Sequence, residues 1–140
     1  MRLTVSRQPV WSAEIDDRAG ALASKLTTLA EAGADLSFVT ARRRSGEPSR
    51  AKIYIASLRG ARQQRAAEQA GLARTNDLHM LRVEGTDRPG LGATLTQALA
   101  MAGISLRGLS AVAIGKRMVV MLAFDTSADA ARATHAIKNL

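Results

Sequence analysis

The sequence Gly85-Thr86-Asp87-Arg88-Pro89-Gly90-Leu91-Gly92 lies between a strand-like run, residues 81–84, and a helix-like run that begins near Leu91. Proline presets φ for a first helical turn, and glycine allows close backbone approach. The first N–H groups of a helix have no partners within it and carry a partial positive charge, so they can bind an anion. This stretch therefore predicts a strand, a turn and a helix start that can bind an anion.

A second copy of this turn, Ile15-Asp16-Asp17-Arg18-Ala19-Gly20-Ala21, occurs 70 residues earlier. At that offset, residues 14–41 share many identities with residues 84–111 without a gap. The later parts of the copies align at an offset of 66, with Ile53-Tyr54-Ile55 against Val119-Val120-Met121, and four extra residues fall in the loop 45–50 of the first copy. Such self-similarity at a fixed offset predicts a duplicated module.

Hydrophobic spacing predicts the secondary structure of each copy. Leu91, Leu95 and Leu99 recur on one face of a helix, which Gly103 ends as a C-terminal cap. The elements predicted for the first copy are strands 10–15, 36–39, 52–58 and 72–75, with helices after residue 20 and at 62–70. Those predicted for the second copy are strands 80–84, 104–113 and 118–124, with helices at 91–102 and at about 127–137. A further short strand is predicted at residues 3–6.

This order of elements predicts an α+β fold of two ferredoxin-like βαββαβ modules, each an antiparallel sheet with its helices on one face. We place the first module at residues 1–75 and the second at 76–140. The second module has no room for a closing strand of its own. Because residues 2–5 align with the closing strand 72–75 at the offset of 70, we predict that residues 1–7 complete the second module, so that the two halves interlock.

Composition narrows the range of functions. The chain has no cysteine and only His79 and His135, so neither a disulfide framework nor a metal site is expected, and no cofactor is predicted. No apolar stretch approaches the roughly 20 residues that span a bilayer, and the first residues lack the apolar run of a signal peptide. We therefore expect a cytoplasmic protein without membrane contact. The net charge of +8 favours an anionic ligand, nucleic acid or an acidic partner.

Two five-residue segments follow the turns at matching distances. They are Ala102-Gly103-Ile104-Ser105-Leu106 after Asp87-Arg88-Pro89-Gly90, and Ala32-Gly33-Ala34-Asp35-Leu36 after Asp17-Arg18-Ala19-Gly20. A strand ending in Asp-Arg-Pro-Gly, an amphipathic helix and then Ala-Gly-Ile-Ser-Leu strongly resembles the ACT domain. The resemblance covers nearly the whole chain, as a free-standing tandem ACT protein. It implies a regulatory module that binds an amino acid, often at the interface between paired domains.

The resemblance also implies which residues contact the ligand, since serine-binding relatives use the turn after the first strand and the start of the second strand. The matching positions are Asp87, Arg88, Pro89, Gly90, Leu91 and Ser105 in the second copy, and Asp17, Gly20, Ala21 and Asp35 in the first. Helix-start amides would bind the ligand carboxylate and an aspartate its ammonium group. The first copy departs from the pattern at Ala19, which replaces the proline. Gly85 and Ile15 stand where relatives often have His or Asn, so the resemblance does not specify the amino acid.

Other readings of these residues stay open. Asp17 and Asp87 are also suited to capping the helices, and Asp35 and Ser105 to purely structural roles. The basic segment Arg42-Arg43-Arg44 fits a solvated hairpin as well as a surface for nucleic acid or an acidic protein. The alternatives to a sensor are thus a nucleic-acid-binding module and a pure protein-interaction module, although the few aromatic residues argue against nucleic acid. No nucleophile, base and orienting group form a catalytic pattern, so we do not expect an enzyme. Exposed strand edges favour a homodimer.

Overall fold

The computed structural model describes residues 2–140, apart from the side chain of Pro48. In chain order the elements are β1 (Thr4–Gln8), β2 (Val10–Asp16), α1 (Ala21–Glu31), β3 (Phe38–Arg44), β4 (Glu47–Ala56), α2 (Gly60–Gln69), β5 (Ala73–Arg74), β6 (His79–Thr86), α3 (Leu91–Met101), β7 (Gly108–Ile114), β8 (Arg117–Phe124) and α4 (Ser127–Lys138). They divide into two compact units. The first module is Pro9–Thr75, and the second is Asn76–Leu140 together with the chain up to Gln8.

Each module contains one four-stranded antiparallel sheet. The strand order is β3-β4-β2-β5 in the first module and β1-β6-β8-β7 in the second. β1 pairs with β6 from Thr4 opposite Glu84 to Gln8 opposite Met80. The prediction of two ferredoxin-like modules is therefore confirmed, as is the prediction that the N-terminal strand completes the second sheet. Met1, which the prediction also included, lies outside the described residues.

Alternating residues of the strands and one stripe of each helix form the two cores. In the second module, Leu81 and Val83 of β6 pack with Leu95 and Leu99 of α3 and with Phe124 of β8. All of these side chains are at most 1% exposed. Every second residue of the strands and every third or fourth residue of the helix therefore faces the core, so each element buries one face. A corresponding cluster fills the first module.

Gly85 continues the inward-facing series of Leu81 and Val83 but has no side chain to bury. A Cβ atom at Gly85 would lie 2.5 Å from Cδ2 of Leu3 and 3.3 Å from the carbonyl oxygen of Arg2. Leu3 itself packs against the second core. The chain just before β1 therefore occupies the space that a side chain at position 85 would need, which explains why this position is glycine.

The ladder of β pairs corrects the alignment of the two copies. Ala13 pairs with Ile53, and its counterpart Val83 pairs with Val120, so Ile53 corresponds to Val120 rather than to the predicted Val119. The extra loop of the first copy is consequently three residues longer, not four. The two closing strands also align differently from the prediction. Arg7 lies opposite Leu81, and Arg74 lies opposite Trp11, which is the counterpart of Leu81. Residues 2–5 therefore do not correspond to residues 72–75, and that alignment was three residues off.

The second strand of each module begins later than predicted. The N–H of Gly103 donates to Ala100 O at 3.0 Å and that of Ile104 to Leu99 O at 2.9 Å, a Schellman cap. Ile104 is thus part of the end of α3, and β7 begins only at Gly108. In the first module the segment Arg42-Arg43-Arg44 lies within β3, an edge strand, and not in the hairpin loop.

Candidate functional site

The turn between β6 and α3 is fixed by backbone hydrogen bonds. The N–H of Asp87 donates to Lys116 O at 2.8 Å, and the N–H of Leu91 donates to Arg88 O at 3.3 Å. Gly90, the N-cap residue, has a φ of 84°, in the left-handed region that favours glycine. Among residues 2–140, no hydrogen-bond acceptor pairs with the N–H groups of Gly92 and Ala93. The start of α3 therefore presents two free amide donors.

The turn of the first module has the same geometry although Ala19 replaces the proline. The N–H of Asp17 donates to Ser49 O at 2.9 Å, and the N–H of Ala21 donates to Arg18 O at 3.3 Å. Gly20 again has a left-handed φ, 87°. Two amides of the first helical turn, those of Leu22 and Ala23, likewise lack an acceptor in the described part of the chain. Proline is thus not required for this conformation.

Neither aspartate caps its helix, so the capping interpretation was wrong. The N-cap residues are Gly20 and Gly90, and no side chain accepts a hydrogen bond at either helix start. The Asp17 carboxylate lies 2.6 Å from Nε of Arg43. The exposed Asp87 carboxylate, in contrast, has no ion pair or hydrogen bond with any residue that the structure describes. The two copies therefore share their backbone geometry but differ in charge.

The basic residues near the first turn are mostly paired with carboxylates. Arg50 lies 2.6 Å from Asp16 and 3.6 Å from Glu14, and Arg44 contacts Glu14 and lies 3.7 Å from Glu47. These side chains are between 36% and 60% exposed, and ion pairs at the surface contribute only about 0–1 kcal/mol each. The pairs nevertheless offset much of the positive charge of the Arg-rich segment.

Two clefts lie beside the first turn. One of about 200 Å³ is lined by Glu14, Ile15, Asp16, Arg18, Ala21, Ser24, Lys25 and Arg50. The other, of about 180 Å³, is lined by Ile15, Asp16, Asp17, Arg18, Leu22, Ala41, Arg42, Arg43 and Ala51. Both are smaller than the roughly 300–1,000 Å³ of drug-sized sites, so they suit only a small metabolite.

Ser105 lies at the other end of the sheet from Asp87 within the same module. It is exposed and precedes β7, which begins at Gly108 opposite Ala123, whereas Asp87 contacts Lys116 at the opposite end of β8. The length of β6 between these ends is roughly 23 Å, at about 3.3 Å per residue. One module thus does not bring Ser105 to the turn, and Asp35 is separated from the first turn in the same way because β3 starts opposite Ala56.

Two charged side chains near the turns were not among the predicted site residues. Arg43 reaches Asp17 across the sheet, and strand alternation could have placed it on the helix side. Glu84 ends 3.2 Å from Arg82, which donates a hydrogen bond to its carboxylate. This bond, with the positive charges of Arg82 and Arg117, lowers the pKa of Glu84 below its ordinary value although partial burial opposes the shift.

The described part of the chain has neither a metal-binding cluster nor a membrane-spanning helix. Residues 2–140 contain no cluster of three or more His, Asp or Glu side chains that could hold a metal ion. None of the helices among these residues is long and apolar enough to cross a membrane.

Comparisons with known proteins give a family match within the second module and a shared fold for the chain. Residues 79–138 match the family model of the ACT domain. A solved protein from Bacteroides thetaiotaomicron is 14% identical with a TM-score of 0.76, covering 96% of this chain and 89% of that one. The regulatory subunit of aspartate kinase from Thermus thermophilus is 18% identical with a TM-score of 0.68, covering 99% and 97%. That from Thermus flavus is 18% identical with a TM-score of 0.66, covering 98% and 95%. These structures show a shared fold, while no curated protein matches the sequence.

Proposed function

Since the second module matches the ACT domain family and a tandem ACT arrangement fits both modules, we propose that this protein is a regulatory sensor that binds an amino acid. Two solved structures with the same fold are regulatory subunits of aspartate kinase, which supports a regulatory role here. The observation that carries the proposal is the unpaired Asp87 carboxylate in the same turn as two free helix-start amides.

The charges of this turn match those of a free amino acid. The amides of Gly92 and Ala93 and the positive end of α3 bind the α-carboxylate. Asp87 accepts a charge-assisted hydrogen bond from the ammonium group. Arg88, Pro89 and the glycines fix this backbone. In the first module, Gly20 and Ala21 provide the corresponding helix start.

Ser105 and Asp35 belong to this proposal in a different way, because neither reaches the turn of its own module. Each lies in the segment between a helix cap and an edge strand. When two modules pair along their edge strands in antiparallel orientation, the end of one sheet lies beside the opposite end of the other. We therefore assign Ser105 and Asp35 to sites that the corresponding module of a second copy of the chain completes.

We further propose that the protein is a homodimer formed through β7. This edge strand has the uncharged sequence Gly-Leu-Ser-Ala-Val-Ala-Ile and lacks the charges or proline that usually block edge pairing. Its apolar side chains are exposed, Val112 by 53% and Ile114 by 65%. Val112→Lys places a charge on each copy at the pairing edge, so analytical ultracentrifugation should show a dimer for the wild type and a monomer for the variant. A wild-type monomer at all concentrations would contradict this part of the proposal.

The sensor acts without catalysis, through a partner protein that responds to the bound form. A nucleic-acid partner is less well supported because Phe124 is fully buried and cannot stack on a base. The ring of Tyr54 is already covered by Lys52, with the ammonium 5.3 Å from the ring centroid. Arg44 and Arg50 are engaged in ion pairs.

A thermal-shift screen against the twenty amino acids at millimolar concentration tests the function. A ligand present at about 100 times its Kd stabilises the folded protein by roughly 2.7 kcal/mol, a shift of several degrees. Asp87→Asn should remove the shift caused by an amino acid that binds at the second turn. Asp125→Asn is the matched control, because Asp125 is an exposed aspartate that also precedes a helix. The sensor proposal fails if no amino acid stabilises the wild type.

A further inference from the structure

We propose that the two turns select ligands of different charge and that Arg43 is the residue that sets the difference. The first module would take a small amino acid with a second carboxylate, and the second module an amino acid with an uncharged side chain. This inference rests on the proposed sensor function and adds a ligand class for each site. It follows from comparing corresponding positions of the two copies.

Strand register identifies the counterpart of Arg43. Arg43 pairs with Ala51 in the first sheet, and Ala113 pairs with Met118 in the second. Ala51 and Met118 in turn lie opposite Ile15 and Gly85, which are corresponding residues of the two copies. Ala113 therefore occupies the position of Arg43. The guanidinium group of the first turn has no counterpart on this strand of the second.

Arg43 changes what Asp17 can do. Its Nε lies 2.6 Å from Oδ2 of Asp17, whose side chain is 24% exposed, so the carboxylate is already neutralised by a charged partner. The Arg43 side chain is 78% exposed. A guanidinium has five N–H donors in a fork, so the contact through Nε leaves the two terminal nitrogens free to bind a second carboxylate in a bidentate manner. The first turn thus offers a donor for an anion in place of an acceptor for an ammonium.

The smaller of the two clefts beside the first turn also favours a negatively charged ligand. Its volume is about 180 Å³, and its charged lining residues are Arg18, Arg42 and Arg43 against Asp16 and Asp17, an excess of one positive charge. A small ligand with a net negative charge therefore binds there more favourably than a zwitterion of the same size.

The second turn has the opposite character. The counterparts of Arg42 and Arg43 are Val112 and Ala113, and that of Asp16 is Thr86. Asp87 is left with no partner among the described residues, so it is available to an ammonium group. An apolar strand beside a free carboxylate favours a zwitterion with an uncharged side chain and disfavours a second carboxylate through charge repulsion.

Isothermal titration calorimetry on the full chain tests the inference, with L-glutamate and L-aspartate as acidic probes and L-leucine and L-alanine as neutral ones. Arg43→Ala should weaken acidic-probe binding by about tenfold or more, the effect of one charged hydrogen-bonding group, and leave neutral-probe binding unchanged. Ala113→Arg should weaken neutral-probe binding and strengthen acidic-probe binding. Arg65→Ala, a change of an exposed arginine on α2, is the control that should alter neither.

The outcomes separate this inference from the function on which it rests. Binding of acidic probes with equal affinity by the wild type and Arg43→Ala overturns the charge selection and leaves the sensor function standing. The same holds if only neutral amino acids bind and do so in an Asp87-dependent way. If no probe of either class binds the wild type, the proposed function and the inference fail together.

Discussion

Replacing Gly85 by alanine tests the contact between the N-terminal segment and the second module. The new methyl group would lie 2.5 Å from Cδ2 of Leu3, so the Leu3 side chain must move, and 3.3 Å from the less yielding backbone oxygen of Arg2. Overpacking of this kind costs about 1–3 kcal/mol. Alanine is otherwise favoured over glycine inside a strand by roughly 0.5–1 kcal/mol. We therefore expect Gly85→Ala to lower the free energy of unfolding by about 1–2 kcal/mol.

A double-mutant cycle isolates the steric cause. Leu3→Ala alone should cost roughly 1–2 kcal/mol because its side chain is only half-buried. Since that change also makes room for the methyl group, the double variant should be more stable than the sum of the two single effects implies, by about 1 kcal/mol. Gly108→Ala is the matched control, because its Cβ would meet only the Ala123 methyl group at the ordinary distance of 3.8 Å.

Urea denaturation of the wild type, the two single variants, the double variant and the Gly108→Ala control, followed by circular dichroism, measures these free energies. The expected loss for Gly85→Ala corresponds to a decrease in Tm of about 3–8 °C. If Gly85→Ala is as stable as Gly108→Ala, or if its cost is unchanged in the Leu3→Ala background, the chain near Leu3 does not lie over Gly85 and the interlocked arrangement is wrong.

Further predictions concern charge, capping and packing. Arg82 lowers the pKa of Glu84 in the folded protein. The ionised Glu84 carboxylate should therefore stabilise the fold above the unfolded pKa near 4.5, and this effect should be lost as the pH falls through the folded pKa. Urea titrations should show that Glu84→Gln reduces stability at about pH 7 and is neutral at about pH 2. Thr126→Ala removes the oxygen that accepts the Asp129 N–H at 3.0 Å and should cost about 1 kcal/mol, whereas Thr126→Ser should restore most of it. Phe124→Ala, at a fully buried position, should cost about 3–5 kcal/mol and lower the Tm accordingly, and a loss below 1 kcal/mol would contradict the core described above.

The internal repeat made the fold predictable to an unusual degree. Because each copy repeats the same order of strands and helices, a missing closing strand in one copy pointed to the unassigned strand at the N-terminus. The exact pairing was less accessible. The pairing of the backbones shows that Arg7 and Arg74 occupy corresponding positions of the two closing strands. Both residues are arginine, but the predicted offset of 70 did not align them. Ile104 was assigned to a strand because its apolar character does not distinguish a strand from a helix cap.

The backbone conformation of the candidate site could be predicted from the sequence, but the partners of its charged side chains could not. The Gly-containing turns at Gly20 and Gly90 follow from local sequence, since their left-handed φ values favour glycine. The partner of Asp17 comes from a strand distant in sequence, and only the fold shows that Arg43 reaches it. Similarly, the sequence does not reveal that Ser105 and Asp87 lie at opposite ends of one sheet.

The central claim is that the turn of the second module binds an amino acid. Amide NMR spectra of isotope-labelled protein, recorded during titration with the amino acid of uncharged side chain that gives the largest thermal shift, test it most directly. The account predicts saturable shifts of the Gly92 and Ala93 resonances, because a carboxylate binding to their N–H groups changes the field at those protons, and loss of these shifts in Asp87→Asn. Binding that leaves both resonances unmoved would contradict the account.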